Sequence, residues 1–209
     1  MPAQNAVTPE RPFTVLAVCT GNICRSPAVE RLLATELGVD HAATASDRSQ
    51  VVVASAGVGA VVGAPVPTQM ATLVEAAGAS VAGFAARQLT EAILKESDLV
   101  LALTKAHRSR IVAMHPGAVR RTFTLRELAR LAAGIDPAAL PEGSTAERLA
   151  ALIPLAAAQR GMQAGVTGSD DVVDPWGHSD DVFAQSFAEL QPAVATIARV
   201  VGTRPHARE

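Results

Sequence analysis

"VLAVCTGNICRSP", residues 15–27, decides how this chain is read. Four apolar residues run into Cys19, and Gly21, Asn22, Cys24, Arg25, Ser26 and Pro27 follow within eight positions. Residues 13–19, "FTVLAVC", are apolar and partly β-branched, which predicts a buried strand. Beyond the loop, Ala28, Val29, Leu32, Leu33, Glu36 and Leu37 recur at helical spacing. Ser26 is the expected N-cap, Pro27 suits the first helical position and Gly38 the end. The stretch therefore reads as strand, tight loop, helix start.

Such a loop has a definite chemistry. Curling from Cys19 to Arg25, it would turn successive backbone N–H groups inward, over a helix N-terminus, and make an anion nest. Gly21 is expected to relax the backbone for the curl. Arg25 adds a planar fork for two oxygens of a phosphate-like anion. In that field a cysteine moves from about 8.5 into a range of roughly 3.5–7.5. The expected phosphate-binding residues are thus Thr20, Gly21, Asn22, Ile23, Cys24, Arg25 and Ser26, with a thiolate at Cys19 poised for nucleophilic attack at phosphorus. No G-x-x-x-x-G-K-[ST] occurs, and four residues separate the cysteines, so neither a nucleotide P-loop nor a thioredoxin-type pair is read here.

Outward from this stretch, strands and helices alternate. Strands are expected at 50–57, 98–104 and, more weakly, 118–124; helices at 67–78, 90–97 with Thr90 as cap, 105–115, 125–133 and 179–201. Ser179 is the expected cap of the last helix, with Asp180 and Asp181 in its first turn. The pattern predicts an α/β fold in three layers: a four-stranded parallel sheet, flavodoxin-like, with helices on both faces. Ligands of such sheets bind beyond the carboxyl ends of the strands, where Cys19 falls. Residues 134–168 break the rhythm with turn-rich and helical pieces, the helix interrupted at Pro154. They read as a helical insertion too short for its own core. One domain is expected over 13–201, with a lead-in at 1–12 and a tail at 202–209.

Composition narrows the class. The 209 residues are 49% hydrophobic and 18% charged, with a net charge of −2. No basic field points to nucleic acid or an anionic membrane. No apolar run approaches the roughly 20 residues of a membrane span. The first residues lack the pattern of a secretory signal, and two cysteines make no disulfide scaffold; a reducing cytoplasm is expected. The histidines and carboxylates show no metal-ligand spacing, so no metal is expected. His107 and His115 fall on an expected surface helix and receive no role.

A thiolate attacking a phosphate ester needs a separate proton donor for the leaving oxygen. Asp170, Asp171, Asp174, Asp180 and Asp181 are all candidates, and the residues alone do not choose among them.

"VCTGNICRSP" resembles the active-site loop of the low-molecular-weight protein tyrosine phosphatases, a family related to arsenate reductases and arginine phosphatases. "SAG" at 55–57, "ARQLT" at 86–90, "DLVLALTKAH" at 98–107 and "DPWG" at 174–177 match in order. The resemblance covers most of 13–133 and 172–201. It implies Cys19 as the nucleophile that becomes phosphocysteine, and Arg25 as the phosphate-binding arginine. Ser26 would stabilise the thiolate, Asn22 would hold the loop in shape with Ser55 behind it, and Asp174 would be the general acid. Trp176 would flank a substrate ring at the pocket mouth, or else anchor its loop. Ile23 stands where arginine phosphatases carry threonine, which implies phosphotyrosine. No cofactor is implied. Phosphotyrosine protein, with inorganic phosphate or a similar oxyanion, is the expected partner, and a monomer or weak homodimer the expected state.

Three other functions remain. An arsenate reductase using a small thiol needs only one cysteine, although no cysteine follows Cys24 and Pro27 replaces the glutamine of those enzymes. A phosphoarginine phosphatase shares the loop. A phosphate-binding regulatory module would need no catalysis. Leu103-Thr104 departs from the family's Met-Asp. Cys24 has two readings: a redox partner that traps oxidised Cys19 as a reversible disulfide, or simple loop packing. A bridge requires Cα atoms within about 6.8 Å.

Overall fold

The computed structural model describes residues 11–39, 51–160 and 169–202. Four strands, β1 (Phe13–Cys19), β2 (Val51–Gly57), β3 (Leu99–Ala102) and β4 (Thr122–Thr124), form one all-parallel sheet in the order β2-β1-β3-β4. The chain leaves β1 toward one edge and crosses back for β3. The order therefore reverses beside β1, and Cys19, its last residue, lies at the crevice this reversal opens.

Alternate residues of β1 face opposite layers. Val15, Ala17 and Cys19 join the core under α1 (Arg25–Leu37), α5 (Leu125–Ala133) and α7 (Asp180–Val201). Leu16 and Val18 join a smaller core with Leu94 of α3 (Glu91–Glu96) and Ile111 of α4 (Lys105–Met114). Burial on both sides explains the continuous apolar run. α2 (Thr68–Ala76) closes the first face through Met70 and Val74.

Four expectations change. β4 is only three residues, because the 3-10 helix Pro116–Arg121 takes up residues 118–121 of the expected strand. The helix of the insertion, α6 (Thr145–Gln159), runs through Pro154 without interruption and starts at a capping box of Ser144 and Glu147. Its Leu149, Leu152 and Ala156 enter the main core. Arg148 of α6 is buried and donates to the carbonyls of Pro141, Val200 and Val201 at 2.9–3.1 Å, so it satisfies the C-terminal end of α7. Ser179 holds the N-cap position of α7 but makes no side-chain cap bond. α1 begins at Arg25 and not after Ser26, because the Ser26 hydroxyl is drawn to Cys19 and Asn22 instead of capping. Gly38 ends α1 in the left-handed conformation, φ 64°. Residues 1–10 and 203–209, most of the expected lead-in and tail, lie outside the described residues, as do 161–168 of the insertion. Among the described residues no helix is long and apolar enough to cross a membrane.

Candidate active site

The loop after β1 is held from within. Asn22, not Gly21, takes the left-handed conformation, φ 54°. Asparagine tolerates that region better than most side chains, and its amide supplies the bonds that keep it there. Asn22 Nδ2 donates to Ser26 Oγ (2.9 Å) and Ser55 Oγ (2.8 Å), while Asn22 Oδ1 accepts from the Arg87 backbone N–H (2.8 Å). Cys19 Sγ and Ser26 Oγ lie 3.0 Å apart. Cys19, Asn22, Ser26 and Ser55 are all buried. A further member of this cluster was not anticipated from sequence: Ser55 Oγ donates to the buried carboxylate of Glu30 at 2.5 Å.

The second unforeseen element is glycine at 57. A Cβ there would sit 2.4 Å from the Thr20 carbonyl oxygen and 3.0 Å from Asn22. Only glycine lets the end of β2 approach the loop this closely. At Gly21 a Cβ would meet only side chains at ordinary contact distance, Ile23 at 3.4 Å and Val61 at 3.7 Å.

Arg25 begins α1 and its side chain is 4% exposed. It donates to the Val172 carbonyl at 3.1 Å and to the Asp174 carboxylate. Its Nε is a buried donor without a partner among the described residues, which suits an oxyanion's demand for planar donors. Asp174 is tied from both sides, since Asp174 Oδ1 accepts from the Trp176 backbone N–H at 3.2 Å. The strand of loop before it is anchored by Val172 N to Leu103 O (2.9 Å) and Val173 N to Glu189 (2.9 Å). The other aspartates are occupied elsewhere: Asp170 pairs with Arg130, Asp171 accepts from Lys105 N at the start of α4, and Asp180 and Asp181 sit in the first turn of α7. Thr104, which departs from the expected motif, caps α4 by accepting from His107 N at 3.1 Å.

Cys19, Ile23, Cys24, Arg25, Asp174 and Trp176 line one pocket of about 180 Å³. Trp176, 60% exposed, lines it together with the exposed Val61. A wider polar cleft of about 490 Å³ adjoins it through Thr20, Arg25 and Asp174. His107 lines that cleft. It is buried, against the expectation of a surface helix, because the start of α4 packs beside the loop. Its Nε2 lies 2.9 Å from Thr20 Oγ1. Burial, then the charge of Arg25, pushes it from the ordinary 6.5 down to about 4, so it is neutral near pH 7. Burial, then the negative charges of Cys19 and Asp174, push the Cys24 thiol up to about 12. The two cysteines are both free thiols.

A parallel α/β sheet whose first strand ends in a cysteine-and-arginine oxyanion loop defines a class of phosphoryl-handling proteins. The sequence model described as "Low molecular weight phosphotyrosine protein phosphatase" matches residues 14–137, and the chain belongs to that family. A relative named probable low molecular weight protein-tyrosine-phosphatase EpsP, from Ralstonia solanacearum, is 34% identical over 115 residues, 55% of this chain and 72% of the relative. The Etp phosphatase of Escherichia coli K12 is 38% identical over 103 residues, 49% of this chain and 62% of Etp. Among solved structures, the Erwinia amylovora tyrosine phosphatase AmsI superposes with a TM-score of 0.63 at 23% identity, covering 90% of this chain and 92% of AmsI. The arginine phosphatase YwlE of Geobacillus stearothermophilus gives 0.62 at 26% identity, covering 90% and 92%.

Proposed function

We propose that this chain hydrolyses phosphotyrosine in proteins through a phosphocysteine intermediate at Cys19. The observation that carries the reading is the convergence of Cys19, Arg25 and Asp174 on one small pocket. The Cys19 sulfur attacks phosphorus, the P–O ester bond breaks, and Asp174 gives its proton to the leaving phenolate. The resulting Asp174 carboxylate then takes a proton from water as the water oxygen attacks phosphorus. The S–P bond breaks, and inorganic phosphate leaves with the Cys19 thiolate restored. Backbone N–H groups of residues 20–26 and the Arg25 guanidinium hold the phosphoryl oxygens.

The Arg25–Asp174 contact fits this cycle. A bound phosphoryl group takes guanidinium hydrogens that Asp174 now accepts, and places negative charge beside the carboxyl. The same contact keeps the proposed acid beside the phosphoryl site. Ile23 and Trp176, which line the pocket, supply apolar surface suited to an aromatic ring.

Residues 13–201 act as one unit in this reading, since α6 shares the core of α5 and α7. Every group named comes from a single chain, so a monomer carries the whole site. The free thiols support a reducing, cytoplasmic setting.

The test is turnover of phosphotyrosine, phosphoarginine and arsenate by the parent, Cys19→Ser and Ile23→Thr. Phosphotyrosine hydrolysis should dominate in the parent and vanish in Cys19→Ser while phosphate still binds. Ile23→Thr should lower the phosphotyrosine-to-phosphoarginine ratio. A parent that binds phosphate without hydrolysing any ester would be a binding module, and arsenate reduction alone would make it a reductase.

A further inference from the structure

Glu30 has no place in the reaction just described, yet it is buried beneath the loop. Burying a carboxylate is costly unless it is paired and hydrogen-bonded. Part of the answer is Arg31, whose Nε lies 3.3 Å from Glu30 Oε1 as its ion-pair partner. The other oxygen, Oε2, accepts from Ser55.

Counting hydrogens gives that bond a consequence. Ser55 has one hydroxyl hydrogen and spends it on Glu30, so its oxygen is left to accept from Asn22 Nδ2. The second Nδ2 hydrogen goes to Ser26 Oγ. Ser26, already accepting, has its own hydrogen free for Cys19 Sγ, 3.0 Å away. The opposite end of the Asn22 amide is fixed by the Arg87 N–H on Oδ1. The amide orientation is thus set from two sides, by Arg87 and by Glu30 through Ser55.

We propose that Glu30 is a positioning residue that orients a buried hydrogen-bond chain, Cys19–Ser26–Asn22–Ser55–Glu30, so that its last hydrogen points at the Cys19 sulfur. The proposal rests on the reading of Cys19 as the reacting thiolate. Without the carboxylate, the Ser55 hydrogen has the Asn22 amide as its nearest partner in the chain. That amide accepts from Ser55 only after a flip that turns its NH2 away from Ser26. The Ser26 hydrogen then goes to the amide oxygen and the sulfur loses its donor.

The effect has a distinctive sign. The charged and titratable groups about Cys19 are Arg25 and Cys24 on its own loop, Asp174 on the acid loop and His107 on α4. Those about Glu30 are Arg31 beside it and Arg87, whose Nε donates to the Ser55 carbonyl at 2.6 Å. By charge alone, removing Glu30 would favour a thiolate, because one negative group is gone. Through the hydrogen-bond chain, removing it disfavours the thiolate.

The experiment is the pH dependence of Cys19 alkylation by iodoacetamide, resolved to the residue by mass spectrometry. This readout needs no turnover, so loss of the phosphatase reading would leave it intact. In Glu30→Met the midpoint should move up by about half to one pH unit, a three- to tenfold lower thiolate fraction on the rising limb. In Glu30→Gln, whose carbonyl still accepts from Ser55, it should stay near the parent. In a Ser26→Ala background Glu30→Met should add nothing. A midpoint that stays or falls in Glu30→Met overturns the proposal, as does an equal further shift in the Ser26→Ala background. If Glu30→Met does not fold, Ser55→Ala cuts the chain one link later, and an unmoved midpoint there overturns it equally.

Discussion

His107 Nε2 lies 2.9 Å from the Thr20 hydroxyl, so a residue 87 positions further along the chain holds the neighbour of Cys19. The same packing buries His107 and brings it down to about 4. Unfolded, the ring takes a proton near 6.5; folded, only near 4. Between those values the unfolded chain binds more protons, so stability falls as the pH drops through that window. Urea unfolding at pH 7 and pH 5 should show this loss in the parent and a smaller one in His107→Gln. Equal losses in both would place the acid sensitivity elsewhere.

Asp174 protonates the leaving oxygen in the proposed cycle, so its value depends on the leaving group. Asp174→Asn should lower kcat on phosphotyrosine by about 10²–10⁴-fold. With p-nitrophenyl phosphate, whose nitrophenolate departs readily without a proton, the loss should be smaller. Steady-state rates on the two substrates decide it; equal losses would assign Asp174 to binding.

Gly57→Ala places a methyl group 2.4 Å from the Thr20 carbonyl oxygen, against backbone that cannot swing away. The loop must shift, at a cost of about 1–3 kcal/mol. Phosphate affinity and kcat should both drop, while Gly59→Ala, with nothing within 4 Å, should cost little. Isothermal titration with phosphate distinguishes the two.

Cys24 tests the redox reading. Peroxide would oxidise Cys19 to a sulfenic acid, and attack by the Cys24 thiolate on its sulfur would give a disulfide and release hydroxide, which solvent protonates. A thiol at about 12 is a scarce thiolate near neutrality. Recovery of activity with dithiothreitol after peroxide should therefore exceed that of Cys24→Ser by a margin that widens from pH 6.5 to 8.5. Identical recovery at both pH values would leave Cys24 as packing.

Arg148 ties α6 to the end of α7 through the carbonyls of Val200 and Val201, and holds the Pro141 carbonyl as well. Arg148→Met should destabilise the fold by about 2–4 kcal/mol, read as a lower urea midpoint, with KM for phosphotyrosine unchanged. A change in KM without loss of stability would contradict a purely structural tie.

The insertion shows where sequence reading loses reach. Pro154 reads as a break by its missing N–H, but α6 continues through it because Leu149, Leu152 and Ala156 gain a core to pack into. Packing outweighs local propensity there. The surface expected for His107 is corrected by burial against the loop packing beside it, which no spacing along α4 records.

The stretch from Val15 to Pro27 determined by itself a strand, a loop with phosphate-binding chemistry and a helix start, because those features depend on neighbours a few residues apart. It could not determine that Asn22 would carry the left-handed turn, that Gly57 would have to be glycine, or that Glu30 and His107 would pack against the loop and its partners. Those outcomes depend on β2, α1 and α4 converging at the end of β1, and the strand order that brings them there is set by long-range packing.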